Sequence, residues 1–349
     1  MVTVFQLEPI MVHCWRTGRI VVSTAAEVEG GGPQAVPAAS RAARLYLPTV
    51  VIAAIAAGLG WQAWTELGES GLGRSISAGR FELAGPVVLG FVLVMFGIEQ
   101  VRPAVRRPLL ARGHVADMCY LLAYALLVVP LIVLIGAGFA DLLARHARWL
   151  VIPRLPGVPG WLFIAAAVLV IDFLDWLAHL GNHRINSLWR LHAVHHSQEE
   201  LSILTTFRAH PLVHVSFLIT AVPILAISSN AVTPTVVFTI YACLGALPHA
   251  NVSWSYGPVG RLFISPAYHR IHHQATGRLD INLGTAFAIW DALSRRAVFP
   301  VPGAEACVTG LSGRPIPVEQ AAAGAPGLAW TFLTQWTEPF TASRKARKQ

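Results

Sequence analysis

Apolar residues in this chain run in long uncharged blocks instead of the short periodic stripes of a soluble helix or strand. No charge falls within residues 45–65, between Arg44 and Glu66, or within 83–98, between Glu82 and Glu99. Residues 118–140 and 155–171 are likewise uncharged, and from Ala209 to Gly260 there is no Asp, Glu, Lys or Arg at all. Crossing the hydrocarbon core of a bilayer takes about 20 apolar residues, with roughly 17–25 allowed. The first four blocks match one span each, 83–98 being short but usable. The fifth matches two, turning near Ser228, Ser229 and Asn230. The expected fold is all-α, a polytopic membrane helical bundle of about six spans whose last two form a hairpin. The expected parts are an N-terminal segment (1–43, with a Gly30-Gly31-Gly32-Pro33 lead-in), N-terminal membrane spans (44–150), a histidine-rich membrane region (151–300) and a C-terminal tail (301–349).

Composition agrees. Apolar residues make up 54% and charged residues 13%, about half the charge of a soluble domain. The net charge of +8 is nearly all arginine, the only lysines being Lys345 and Lys348. In a soluble protein that excess suggests nucleic acid; here it reads as basic loops facing anionic lipid, with no nucleic-acid partner. Arg102, Arg106, Arg107 and Arg112 follow the second span. Arg184, Arg190 and Arg208 follow the fourth, and Arg261, Arg270, Arg278, Arg295 and Arg296 the sixth. An even helix count puts these on one side with both termini, and the positive-inside rule makes that side cytoplasmic. The loop with Arg145, Arg148 and Arg154 runs against the rule. The expected location is integral to a bacterial inner membrane. Four cysteines (Cys14, Cys119, Cys243, Cys307) without a CxxC argue against a disulfide framework or a cysteine zinc site. The N-terminus lacks the early Lys/Arg cluster of a signal peptide.

Of fourteen histidines, eleven lie between His179 and His273. A lone histidine is more often a surface or satisfied core residue than a ligand, and His13, His114 and His146 are read that way. The cluster differs: His179-x-x-x-His183, His192-x-x-His195-His196, His249, and His269-x-x-His272-His273. Residues three and four apart share one helix face, so each box aims two or three imidazoles the same way. Nine imidazoles exceed the four ligands of a tetrahedral zinc and suit two ions of higher coordination. Imidazole donors favour iron or zinc over magnesium or calcium. There is no HExxH of a zinc protease, and the histidines are not isolated in facing spans as bis-histidine haem requires. The remaining bland reading is a set of interfacial basic groups sensing pH, against which the repeated HxxHH stands.

The order HxxxH, HxxHH, HxxHH after paired spans resembles the fatty acid hydroxylase / sterol desaturase superfamily of membrane di-metal oxygenases, over roughly Ala84 to Leu293. Asp172 stands seven before His179, and Leu188-Trp189-Arg190-Leu191-His192-Ala193-Val194-His195-His196-Ser197 fits the second box. Arg208-Ala209-His210-Pro211, Ser265-Pro266-x-x-His269-Arg270-Ile271-His272-His273, Asp280-x-Asn282-x-Gly284 and Trp290-Asp291 complete the likeness. Leu180, Val213 and Ser294-Arg295-Arg296 depart from the pattern without removing a ligand.

The resemblance implies two iron ions, replaceable by zinc in purified protein, that activate O₂ against a C–H bond of a fatty acyl, sterol or related lipid. Hydroxylation and desaturation both remain open. Asp172, Asp280 and Asn282 would orient ligating imidazoles, although Asp172 could equally cap a helix at the membrane. His210 is either such a partner or a plain interfacial residue, as is His214. No flavin or haem motif is visible: Gly71-x-Gly73 lacks a third glycine, and His210-Pro211 continues as Leu-Val. Electrons would then come from a separate ferredoxin or cytochrome with its reductase. A reading of another class is a non-catalytic membrane protein that holds a redox-silent metal.

Overall fold

A computed structural model describes residues 84–109, 111, 113–153, 155–227, 234–301, 307–311, 334–337 and 339–340. The 1–43 segment, the span expected over 45–65, the turn at Ser228–Asn230, most of the 301–349 tail, His13, Cys14, Arg112, Arg154 and both lysines lie outside the described residues. Within them the chain is helical, with two isolated β-bridges and no strand.

The second uncharged block forms α1 (Ala84–Val101). The third is one helical run: α2 (His114–Ala123), a π-helical turn at Tyr124–Val128, then α3 (Val129–His146). The fourth is α4 (Gly160–Arg184), followed by α5 (Asn186–His196). The long block yields α6 (His214–Ile227) and α7 (Pro234–Ala246), and the third box lies on α8 (Pro266–His272) ahead of the short α9 (Ile289–Leu293). Among the described residues α4 is the one helix long and apolar enough to cross a membrane. At 1.5 Å per residue, the described parts of α6 and α7 cover roughly 20 Å each.

The expected fourth span stops at residue 171, before Asp172, whereas α4 runs on to Arg184. The charge does not end the helix because its carboxylate is neutralised laterally. Asp172 is fully buried and accepts hydrogen bonds from Ala286 N (2.8 Å), Phe287 N (3.2 Å) and Trp290 Nε1 (2.8 Å). The extension carries His179 and His183 inward on the same helix.

Helix α4 packs on α5, α6 and α7, and α3 packs on α6. One apolar core joins Ala167, Val168 and Ile171 of α4 to Ala221 of α6 and Val237 and Tyr241 of α7. A second joins Val92 and Met95 of α1 to Tyr120, Val194, Ile203 and Ala246. Large apolar side chains also cover the outside: Leu134 and Ile219 are each 70% exposed and Trp161 65%. Such a surface is an aggregation liability in water and the ordinary state in lipid.

Candidate metal centre

The three boxes and His249 converge on two groups. His179, His183, His192, His196 and His272 form one; His195, His249, His269 and His273 form the other. Helix geometry explains the division. At 100° per residue, positions i and i+4 lie about 40° apart around the axis, whereas i+3 and i+4 lie about 100° apart. In α5, His192 and His196 therefore face the first group and His195 the second. In α8, His269 turns with His273, the residue just past its end, toward the second group and His272 toward the first. Each HxxHH gives two ligand atoms to one group and one to the other, with the roles exchanged.

Within each group the offered nitrogens all lie within 4.8 Å of one another. His179 Nε2 is 3.0 Å from His192 Nε2, and His249 Nε2 is 3.1 Å from His195 Nε2 and 3.0 Å from His269 Nε2. Nitrogens this close would suit two ligands held on one ion.

The tautomers agree. Nδ1 of His179 donates to Leu283 O (2.7 Å), Nδ1 of His195 to Arg208 O (3.1 Å) and Nδ1 of His272 to Ile281 O (2.8 Å). A carbonyl only accepts, so each neutral ring keeps its proton on Nδ1 and turns a lone pair inward on Nε2. Nε2 of His196 and of His272 are buried with no hydrogen-bond partner, a cost that coordination removes. Burial, reinforced by neighbouring imidazoles, holds His192, His195, His196, His269, His272 and His273 well below the usual imidazole range, hence neutral and able to coordinate. The residues fit a metal pair.

Carboxylates and one guanidinium hold the segments that carry these rings. Buried Asp291 accepts from Trp176 Nε1 (3.0 Å), Tyr268 Oη (3.0 Å), Leu283 N (2.9 Å) and Gly284 N (2.9 Å). It thereby fixes the carbonyl that receives His179. A Cβ at Gly284 would lie 2.5 Å from Phe287 O, so this close turn needs glycine. Arg208, whose carbonyl receives His195, is fully buried and pairs with Asp117 at 2.5 Å. Its Nη2 donates to Gly113 O, and Gly113 has a φ of +84° and no room for a side chain against Gln198 and Arg208. Glu99 accepts from Ile203 N (2.6 Å) and Asn251 N (2.8 Å), tying α1 to both flanks of the second group.

Among the polar residues expected to orient imidazoles, Asp280 stands beside one: its Oδ1 is 3.6 Å from His183 Nδ1, and Arg184 Nε is 3.2 Å from its Oδ2. Asp172 bonds the 286–290 segment, as described. Asn282, at φ +57°, donates to Tyr268 O and Val298 O and accepts from Val298 N, locking the loop after α8. His210 caps the turn Pro211–Val213 through Leu212 N and contacts Trp336 O at 3.1 Å, away from both groups. His214 lies tilted against Tyr124, with ring centroids 5.1 Å apart, and buried His114 meets Glu200 O. His146 is exposed. The sequence does not mark Asp291, Arg208 and Glu99 as site residues, although Asp291 and Arg208 stand in quoted motifs. Arg208 lies 91 residues from Asp117, Glu99 152 from Asn251 and Asp291 115 from Trp176.

A largely apolar cavity of about 1050 Å³ opens from the centre. Val88, Leu93 and Phe96 of α1, Leu121 of α2, Phe217 and Phe238 line it, and it ends on His192 and His195.

Compared with known proteins, residues 164–295 match the fatty acid hydroxylase family. The chain is 30% identical over 189 residues to an ornithine lipid hydroxylase of Rhizobium tropici, covering 53% of this chain and 52% of that protein. It is 28% identical to an alkylglycerol monooxygenase of Caenorhabditis elegans, over 40% of this chain and 28% of the relative. It is 29% identical to a cholesterol 25-hydroxylase-like protein of Danio rerio, over 46% and 61%. The chain thus spans about half the length of the first of these relatives and less than a third of the second. No solved structure matches it.

Proposed function

From a chain that belongs, through its 164–295 domain, to the fatty acid hydroxylase / sterol desaturase superfamily, we infer an integral membrane oxygenase that hydroxylates a C–H bond of a lipid. The observation that carries this reading is the end of the cavity. His192 belongs to the first histidine group and His195 to the second, and both line the same apolar chamber. A hydrocarbon chain lying there meets both ion sites at once.

The nine histidines would hold two iron ions, which supply the activation of O₂. One oxygen atom enters the C–H bond and the other leaves as water, so each turnover takes two electrons and two protons from outside. The protein's own part is position and dryness. Apolar walls exclude bulk water, which favours productive use of the electrons, while Asp291 and Arg208 hold the carbonyls that fix the imidazoles. A ferredoxin or cytochrome with its reductase would deliver the electrons. The basic loops support a cytoplasmic side for the histidines and both termini, with membrane helices over 44–150, the catalytic region over 151–300 and a cytoplasmic tail over 301–349.

The test is expression with a ferredoxin system, metal counting on the purified chain and mass spectrometry of host lipids. A lipid gaining one oxygen atom, dependent on His192 and His195, is the expected result. Loss of two hydrogens instead would make the enzyme a desaturase. Zinc-only protein with no lipid change, whatever the electron donor, would favour the non-catalytic reading.

A further inference from the structure

The cavity that ends on His192 and His195 carries one formally charged lining side chain among the described residues, Asp175 of α4. It lies one turn before His179, and side chains four apart on a helix are about 5–6 Å apart at Cβ. The carboxylate therefore sits beside the metal-binding end of the chamber. Its oxygens are used unequally. Thr285 Oγ1 donates at 2.7 Å and Tyr241 Oη at 3.0 Å, both to Oδ2. No described residue donates to Oδ1.

The other carboxylates of this region differ. Asp172 and Asp291 are fully buried, and both oxygens of each accept from backbone or indole groups. Those two are structural clamps, saturated by the protein. Asp175 is only partly buried and borders the chamber. Tyr241 and Thr285 line the same spot and hold the carboxylate in place without saturating it. A carboxylate oxygen bordering an apolar chamber is costly unless a donor meets it, and neither Tyr241 nor Thr285 meets Oδ1.

We propose that Asp175, held by Tyr241 and Thr285, is a recognition point for a hydrogen-bond donor on the lipid, a hydroxyl or an ammonium, carried within a few carbons of the carbon that is oxidised. This rests on the reading that the chamber admits a lipid. It narrows the substrate class: a plain alkyl chain leaves the carboxylate unmet, whereas a lipid with a donor near the reacting position satisfies it and fixes which carbon faces the histidines. Sites built to meet a polar group reject analogues that lack it more strongly than apolar pockets reject a missing methylene.

The experiment measures binding, so it stands apart from turnover. Metal-loaded protein in detergent is titrated with hexadecan-1-ol, hexadecylammonium and hexadecyl methyl ether, each competing with a fluorescent alkyl probe. Wild type should bind the two donors about tenfold or more tighter than the ether, the scale of a hydrogen bond to a charged group. Asp175→Ala should bring the alcohol and the ether together. Asp175→Asn keeps a carbonyl oxygen for Tyr241 and Thr285 but turns a donating NH2 toward the ligand; it should erase the alcohol's advantage over the ether and weaken hexadecylammonium by about tenfold. Metal per chain identifies any variant that has lost the centre. If Asp175→Ala loses metal, the Asn variant decides, and unchanged ammonium binding there overturns the proposal. Equal binding of all three probes to wild type overturns it outright. Failure of the ether and the donors alike to displace the probe would reject the lipid chamber itself.

Discussion

The histidine region and the outer helices are both helical and both rich in apolar residues, yet they are specified in opposite ways. Around α4, α5 and α8 the fully buried carboxylates are saturated and several rings are aimed by named carbonyls: Asp291 alone takes four hydrogen bonds, and His179 and His272 donate to Leu283 O and Ile281 O. Along α3, leucines such as Leu134 stand exposed with nothing polar to satisfy. The first region needs particular residues because buried polar groups left unpaired are expensive. The second needs only apolar volume, since one outward-facing hydrocarbon side chain replaces another at little cost. Substitutions should therefore bite in steep order across the two regions.

The largest effect is expected at the ligands. His192→Ala or His269→Ala should abolish turnover and lower metal per chain, measured by mass spectrometry on purified protein, while the same change at exposed His146 does neither. If His269→Ala kept both, the second group would not be a metal site. Next comes Arg208→Met, which strands the buried Asp117 charge. A cost of about 3–5 kcal/mol is expected, read as a large fall in melting temperature. Asp291→Asn follows: its amide would point two hydrogens at two of the groups that now donate to the carboxylate. Metal affinity or activity should fall about 10–100-fold with the fold retained in circular dichroism; an unchanged value would mean that the Leu283 carbonyl needs no such anchor. Smallest is Leu134→Ala on α3, expected to change stability by under about 0.5 kcal/mol. A larger loss there would show that this face is covered by something other than lipid.

The same contrast decides what the sequence discloses. That the nine histidines meet is legible because the signal is local: spacings of three and four align rings on a helix, and two HxxHH boxes repeat it. Helical content is legible from the uncharged blocks. The end of α4 is not, because the charge of Asp172 looks like a boundary until Ala286, Phe287 and Trp290, more than a hundred residues on, are seen to bond it. Arg208 reads as a loop arginine in the sequence and proves to be a fully buried residue bonded to Asp117. The Asp280-x-Asn282-x-Gly284 spacing reads as a cluster near the metals. Its geometry is mostly backbone: a left-handed asparagine and a glycine with no space for a Cβ.

The exchanged roles of the two HxxHH boxes carry a consequence for assembly. Because α5 and α8 each hand ligands to both groups, neither ion can be captured without drawing both helices into register. The first ion thus does the ordering for the second, and a half-filled protein is disfavoured against empty and full ones. Maturation of this centre should resemble a latch closing once, so that a cell short of the metal holds fewer complete copies and few partly loaded ones.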